Sequence, residues 1–341
     1  MNIPAKTWIK QQTPKRILVI RLQAMGDVVI TLPYLQDLRN KLSQETKIDL
    51  LTRREVDSIP RSIQLFDKVL SIGGGRNFKK QFISCLFLLP KILLQRYDVV
   101  IDLQNNPLSK LVRKAVIPKA WSEFDKLSPV SAGERTRATI EAVEIANIDA
   151  HTNYSFKISD ADNILKEHGW NKRDMLVILN PAGAFKTRNW QIENYALFAQ
   201  LWLQQFPQTK FLIMGVELIA EKANYLKNIL QDKLINFVNK TTPAEAFAIV
   251  QKAKFVLSED SGLMHFAWVS GVPTLALFGS TRSDWSRPLG QHSLLLDSSD
   301  LSCGNCMLEF CKYGDVHCLT RYTTQFVFDK AMELMKKTTQ V

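Results

Sequence analysis

The feature that most constrains this chain is a rhythm that runs, loosens and starts again. Short apolar runs, "RILVIR" (16–21), "KIDLLT" (47–52), "DKVLSI" (67–72) and "DVVIDLQ" (98–104), alternate with helical patterns at 28–42 and 79–96. Strands separated by helices need crossover connections, and those build a parallel, doubly wound sheet. Around 121–160 the rhythm loosens into what reads as a last helix and a linker. It then resumes with "MLVILNPAG" (175–183), "KFLIMG" (210–215), "LINFVN" (234–239), "KFVLSEDSG" (254–262) and "VPTLALFG" (272–279), again interleaved with helical segments. The expected fold class is α/β, with two doubly wound units in tandem at residues 1–155 and 156–321. Ligands of such sheets bind at the carboxyl ends of the strands, and the two crevices are expected to face each other. That layout suits a two-substrate transferase. A single nicotinamide-binding domain fits less well, because "SIGGGRNFKK" lacks the spacing and helix context of G-x-G-x-x-G.

Composition narrows the partners. The 341 residues are 46% hydrophobic and 23% charged, which is enough for two cores. No window is apolar over the ~18 residues of a membrane span. The first residues, "MNIPAKTWIKQQTPKR", contain no apolar core of a secretory signal, so a cytoplasmic location is expected. The net charge of +11 suits polyanions: nucleic acid, anionic lipid or phosphorylated substrates. No zinc-finger, RRM or KH signature and no long Lys/Arg block is present, so no nucleic-acid partner is expected.

Three segments carry chemistry. In "RLQAMGDVVI" (21–30) a strand turns into a helix, a place where free N–H groups and the helix dipole attract anions. Asp27 puts a carboxylate there instead. It either caps its own helix or accepts a proton from an attacking hydroxyl, with Met25 and Gly26 on the acceptor side. In "NPAGAFKTRNW" (180–190) the small Gly183 leaves room, while Lys186, Thr187 and Arg188 offer cations and a hydroxyl for a diphosphate leaving group. An exposed basic loop explains the same residues. In "LSEDSGLMHFAW" (257–268), Ser261 and Gly262 open a helix, Asp260 can accept from sugar hydroxyls, Leu263 lies in the same turn, and His265 sits one turn on. His265 is equally read as a satisfied buried histidine. Glu217, ending "MGVE", is a ribose-hydroxyl acceptor or a surface carboxylate.

Cys303, Cys306, Cys311 and Cys318 form a Cys-x2-Cys-x4-Cys-x6-Cys run with His317 inside it. A reducing compartment disfavours disulfides, and four thiolates can hold structural zinc or iron. Free thiols are the other reading. Cys85 reads as a core residue. In the helix at 79–96, Lys79, Lys80, Lys91 and Arg96 flank a Phe/Leu-rich face. Such a helix either lies against an anionic leaflet or is a core helix with basic ends.

Together, "ILVIRLQAMGDVVITLP", "NPAGAFKTRNW", "SEDSGLMHFAWVSGVPTLALFGST" and "CGNCMLEFCKYGDVHCL" resemble the ADP-heptose:lipopolysaccharide heptosyltransferases, glycosyltransferase family 9. The resemblance implies a GT-B fold of two Rossmann-like domains, acceptor on the first and sugar nucleotide on the second. It implies that the last helix, 322–341, packs back on the first domain. It also implies inverting transfer from ADP-heptose to a lipid-linked or glycan acceptor, with no catalytic metal. The family's acidic base matches Asp27, and its phosphate-binding Lys falls on Arg188, with Lys186 a second candidate. The family's Asp-[Ser/Thr]-Gly-x-x-His matches Asp260, Ser261, Gly262 and His265, and its ribose-binding Glu matches Glu217. This chain has Gly183 and Ala184 where the family often carries hydroxyls, which leaves the donor open. Another sugar nucleotide, a protein acceptor, or a non-catalytic glycan- or nucleotide-binding subunit are the competing readings.

Overall fold

The computed structural model describes residues 1–9 and 11–339. The chain divides into two compact units, Met1–Ile158 and Ser159–Val341. The first contains β1 (Ala5–Lys6), β2 (Arg16–Ile20), β3 (Lys47–Arg53), β4 (Lys68–Ile72), β5 (Val99–Asp102) and β6 (Ala120–Glu123). They form one sheet in the order β1-β6-β5-β2-β3-β4, parallel throughout except for the short β1. Ile17, Leu18, Val19 and Ile20 of β2 are all fully buried. Helices on both faces of a parallel sheet bury both sides of a central strand, which is why β2 is apolar without alternation.

The second unit repeats the plan with β7 (Met175–Asn180), β8 (Thr209–Gly215), β9 (Leu234–Val238), β10 (Phe255–Glu259), β11 (Thr274–Leu277) and β12 (Ser293–Leu296). Its order is β12-β11-β10-β7-β8-β9, all parallel. In each sheet the strand order reverses at one place, between β2 and β5 in the first and between β7 and β10 in the second. Helices leave the two flanking strands in opposite directions there, and a crevice opens at the carboxyl ends.

The unit boundary falls three residues later than 155/156. Residues 155–157 are tied to the first unit by Gln64 N–H to Ser155 O at 2.8 Å, Lys157 N–H to Ser62 O at 2.8 Å, and a bridge between Ile63 and Phe156. The last helix, Thr324–Thr339, falls in the second unit and packs on its core. Gln340 and Val341 of the expected helix 322–341 lie outside the described residues. The reason is aromatic packing. Phe328 meets Phe198 edge-on at 5.9 Å and Trp202 at 6.5 Å, both on the helix Ile192–Gln205. Val327, Ala331 and Leu334 complete the buried stripe in the same core.

Candidate active site

The three segments marked by the sequence emerge at the two switch points, one after β2 and two after β7 and β10. In the first unit, the chain leaves β2 through Arg21 and enters the helix Met25–Lys41 with Met25, Gly26 and Asp27 in its first turn. Asp27 caps that helix by accepting the Ala24 N–H at 2.8 Å. Its other oxygen lies 2.9 Å from Arg21 Nη2. The side chain is 40% exposed, and a carboxylate has about four lone-pair directions, so capping leaves acceptor capacity facing solvent. The turn is fixed from β5: Gln104 accepts the N–H groups of Leu22 at 2.8 Å and Gln23 at 3.1 Å. Asp27, Arg21, Gln104, Phe124, Lys126 and Arg135 line a cavity of about 240 Å³. Both Arg21 and Arg135 stack on the Phe124 ring, at 5.0 and 5.1 Å. Burial, with Lys110 and Arg21 nearby, pulls the Lys126 ammonium below its ordinary value, against the pull of Asp102. A carboxylate therefore stands among cations at a strand–helix turn.

In the second unit the loop after β7 and the turn after β10 meet. Ser258 of β10 is in register with Asn180 of β7, so the two carboxyl ends are neighbours. Arg188 Nη1 lies 3.5 Å from Asp260 Oδ2 and its guanidinium stacks on Phe185 at 4.6 Å. This is a loose ion pair, one that an incoming anion can share. Ser261 stands at the start of the helix Gly262–Val269, and its hydroxyl accepts from Asn180 Nδ2 at 2.6 Å. Asn180 also reaches Ser258 at 2.7 Å. Gly262 is exposed and a Cβ there would meet nothing within 4 Å, so the N-terminal N–H groups are approachable. Gly183 is different: a Cβ there would lie 2.5 Å from the Arg188 carbonyl oxygen, so only glycine lets the loop close on itself. Lys186 is exposed and Leu263 half-buried.

Three of the expected ligands already have partners within the protein. Thr187 is 2% exposed, and its hydroxyl pairs with Ser280 Oγ at 2.9 Å and donates to Leu308 O at 2.6 Å. These bonds tie the loop to Ser280 and Leu308. His265 is 7% exposed and its Nδ1 accepts from Trp268 Nε1 at 3.1 Å, the satisfied buried histidine of the alternative reading. Glu217 is exposed just beyond the carboxyl end of β8 and accepts from Asn239 Nδ2.

Sequence reasoning missed Glu259, the last residue of β10. It is completely buried. Its carboxylate accepts the Gly183 N–H at 2.6 Å through one oxygen and the Trp190 N–H at 2.7 Å through the other. The two ends of the Arg188 loop thus hang from one side chain. Tyr195 is buried beside it, its hydroxyl donating to Asn180 O at 3.4 Å, and Lys222 Nζ lies 3.9 Å from Glu259 while donating to Pro181 O at 2.7 Å. Burial pushes the Glu259 carboxyl up to about 7, against the pull of Lys222 and the donated N–H groups. Burial lowers Lys222, which Glu259 opposes.

The four clustered cysteines, with Asp315 and His317, line a cavity of about 480 Å³ that reaches Thr187 and Ser280. Among the described residues no group of three or more His, Cys, Asp or Glu side chains is placed to hold a metal ion, so the geometry gives zinc or iron no support. Cys318 is pushed up to about 11 by burial and by the other three thiols.

Known proteins share this architecture. The glycosyltransferase family 9 (heptosyltransferase) profile matches residues 131–317. A lipooligosaccharide heptosyltransferase 2 of Campylobacter jejuni is 28% identical over 163 residues, 46% of this chain and 50% of that relative. The chain thus aligns with about half the length of that curated relative. A glycosyltransferase family 9 structure from Veillonella parvula superposes with TM-score 0.80 at 19% identity, covering 96% of this chain and 99% of its own. The E. coli heptosyltransferase WaaC, solved with ADP-2-deoxy-2-fluoro heptose, superposes with TM-score 0.67 at 18% identity over 93% and 99%. The two doubly wound units are the GT-B fold, and the chain belongs to glycosyltransferase family 9, the heptosyltransferases.

Proposed function

We propose that this protein transfers heptose from ADP-heptose to a hydroxyl of lipopolysaccharide core or a related surface glycan. The observation that carries the reading is the Arg188–Asp260 pair, 3.5 Å apart at the second switch point beside the exposed start of the helix Gly262–Val269. That arrangement suits a nucleotide diphosphate: a guanidinium and helix N–H groups for phosphate, a carboxylate for sugar hydroxyls. The relatives named above add the sugar and the acceptor class. In the reaction, Asp27 takes the proton of the acceptor hydroxyl. The hydroxyl oxygen bonds to the anomeric carbon as the bond to the diphosphate breaks. ADP leaves with the electron pair, its charge met by Arg188 and Lys186. A single displacement of this kind inverts the anomeric configuration. Arg21, Lys126 and Arg135 around Asp27 favour an anionic glycan as acceptor. The proposed setting is cytoplasmic, and among the described residues no helix is long and apolar enough to cross a membrane. No cofactor enters the chemistry. Metal analysis of protein purified without chelator tests the separate reading of a structural ion at the cysteines.

The experiment is calorimetric titration with ADP, UDP, GDP and ADP-heptose. Selective binding of ADP and ADP-heptose supports the proposal. Preference for UDP or GDP replaces the donor, and absence of all nucleotide binding overturns the transferase reading.

A further inference from the structure

The loop that carries Arg188 is also held by a lysine outside every segment the sequence marked. Lys222 lies in the first turn of the helix Ala220–Leu230, which begins directly after the short turn Glu217–Ile219 beyond β8. Its side chain is 25% exposed. Its Nζ donates to Pro181 O at 2.7 Å and to Asn189 Oδ1, and lies 3.9 Å from the Glu259 carboxylate. An ammonium can address three acceptors at once. Here two of them come from the two ends of the Arg188 loop and the third from the neighbouring strand.

The hold passes from Lys222 to Arg188 in few steps. Asn189, fixed through its oxygen by Lys222, donates from Nδ2 to Gly183 O at 3.2 Å and to Phe185 O. The Phe185 ring in turn carries the Arg188 guanidinium at 4.6 Å. The division of labour is by polarity. Glu259 gathers two N–H groups of the loop, at Gly183 and Trp190, and Lys222 gathers two of its oxygens, at Pro181 and Asn189. Either residue alone leaves one polarity of the loop unheld. Burial pulls the Lys222 ammonium below its ordinary value, and Glu259 opposes that pull. A half-buried charge kept at such a cost, where an apolar side chain would avoid it, fits a residue retained for position.

We infer that Lys222 is a positioning residue of the donor site: through Asn189 and Phe185 it sets where the Arg188 guanidinium stands to meet a diphosphate. The inference rests on the proposed transfer only for its purpose, and its first test needs no nucleotide. Amide hydrogen exchange of the ligand-free full chain, read by mass spectrometry, compares the parent with Lys222→Met, which keeps the length and removes the donors, and with Asn189→Ala, which breaks the next link. Exchange in the peptide 181–190 should speed up at least about tenfold in both variants while the rest of the second unit exchanges as in the parent. Calorimetry should then show ADP binding about tenfold weaker in each. A merely structural role would add its loss to any other, so the decisive readout is a double-mutant cycle: in an Arg188→Ala background, Lys222→Met should cost no further ADP affinity. Unchanged exchange at 181–190 in both variants overturns the inference. So does faster exchange across the whole second unit, which would make Lys222 a general strut, and so does an additive loss of ADP affinity in the double variant. If the parent binds no nucleotide, the donor reading falls by itself, and the exchange rates still decide whether Lys222 holds the loop.

Discussion

Glu259→Gln isolates the buried carboxylate that the sequence did not advertise. Glutamine has the same shape but offers one acceptor where Glu259 offers two, to Gly183 N–H and Trp190 N–H. One buried N–H is then left facing an amide donor, at a cost of about 1–3 kcal/mol. The pH dependence has a definite sign. The folded carboxyl sits at about 7, above its ordinary 4.5, so the native state binds more protons than the unfolded chain between those values. Stability from this group is present below pH ~4.5 and is lost as pH rises through ~7. A shift of this size is worth about 2–3 kcal/mol between pH ~5 and ~8, at 1.36 kcal/mol per unit. The variant has no such titration. The gap between the two proteins should be widest at low pH and narrow as pH rises through neutrality. Urea denaturation of both proteins, followed by the tryptophan fluorescence of the second unit, reads this difference, and other titrating groups cancel in the subtraction. Calorimetry should show ADP binding about tenfold weaker in the variant, because Arg188 rides on the loosened loop. Parallel stability–pH curves would refute the ionisation argument. Undiminished ADP affinity would refute the claim that Glu259 holds the loop.

Asp27→Asn keeps an oxygen to accept the Ala24 N–H at 2.8 Å in the parent, so the helix cap survives while the base is lost. Turnover should fall at least about a hundredfold with ADP affinity unchanged, and near-normal turnover would leave Asp27 a cap alone. Arg188→Ala should weaken ADP binding and turnover together, by about 2–4 kcal/mol in kcat/KM. Ordinary kinetics would move the phosphate role to the exposed Lys186. Phe328→Ala removes a ring packed edge-on against Phe198 and Trp202 and should cost the second unit about 3–5 kcal/mol in urea denaturation. A destabilisation confined to the first unit would contradict the placement of the last helix.

The parts of the fold legible in the sequence are those specified locally. A central strand such as β2 announces itself because both its faces need apolar side chains, whatever lies beyond them. The strands the rhythm did not show, β1, β6 and β12, are two to four residues long and lie at or next to sheet edges. Nothing in "AWSE" requires pairing; β5 and β1 impose it from either side. The last helix shows the same limit. Its apolar stripe at Val327, Phe328, Ala331 and Leu334 says that a face is buried, not what buries it. The site followed suit. That Arg188, Asp260 and Gly262 lie near the carboxyl ends of neighbouring strands could be read from the sequence, while the bonds of the Thr187 hydroxyl to Ser280 and Leu308 could not, because those partners lie about 90 and 120 residues further on.

Glu259 marks where such reading stops, and the reason is physical. A strand that ends in "SED" reads as a chain turning out to solvent, yet the Asp pairs with Arg188 while the Glu is buried completely. A lone buried carboxylate would be costly, and replacing it with an apolar side chain would relieve that cost. The cost is offset by a debt elsewhere. The loop from Gly183 to Trp190 has only three residues, Lys186–Arg188, in helical turn, so its terminal N–H groups have no partner in regular structure. Buried N–H groups must be satisfied by something, and a two-oxygen side chain from the neighbouring strand satisfies both at once. Aspartate is one methylene shorter, and glutamine turns one acceptor into a donor. A carboxylate of that reach is what holds the Arg188 loop against the end of β10, and its ionisation near neutrality is the mark of a group retained for position at the expense of stability.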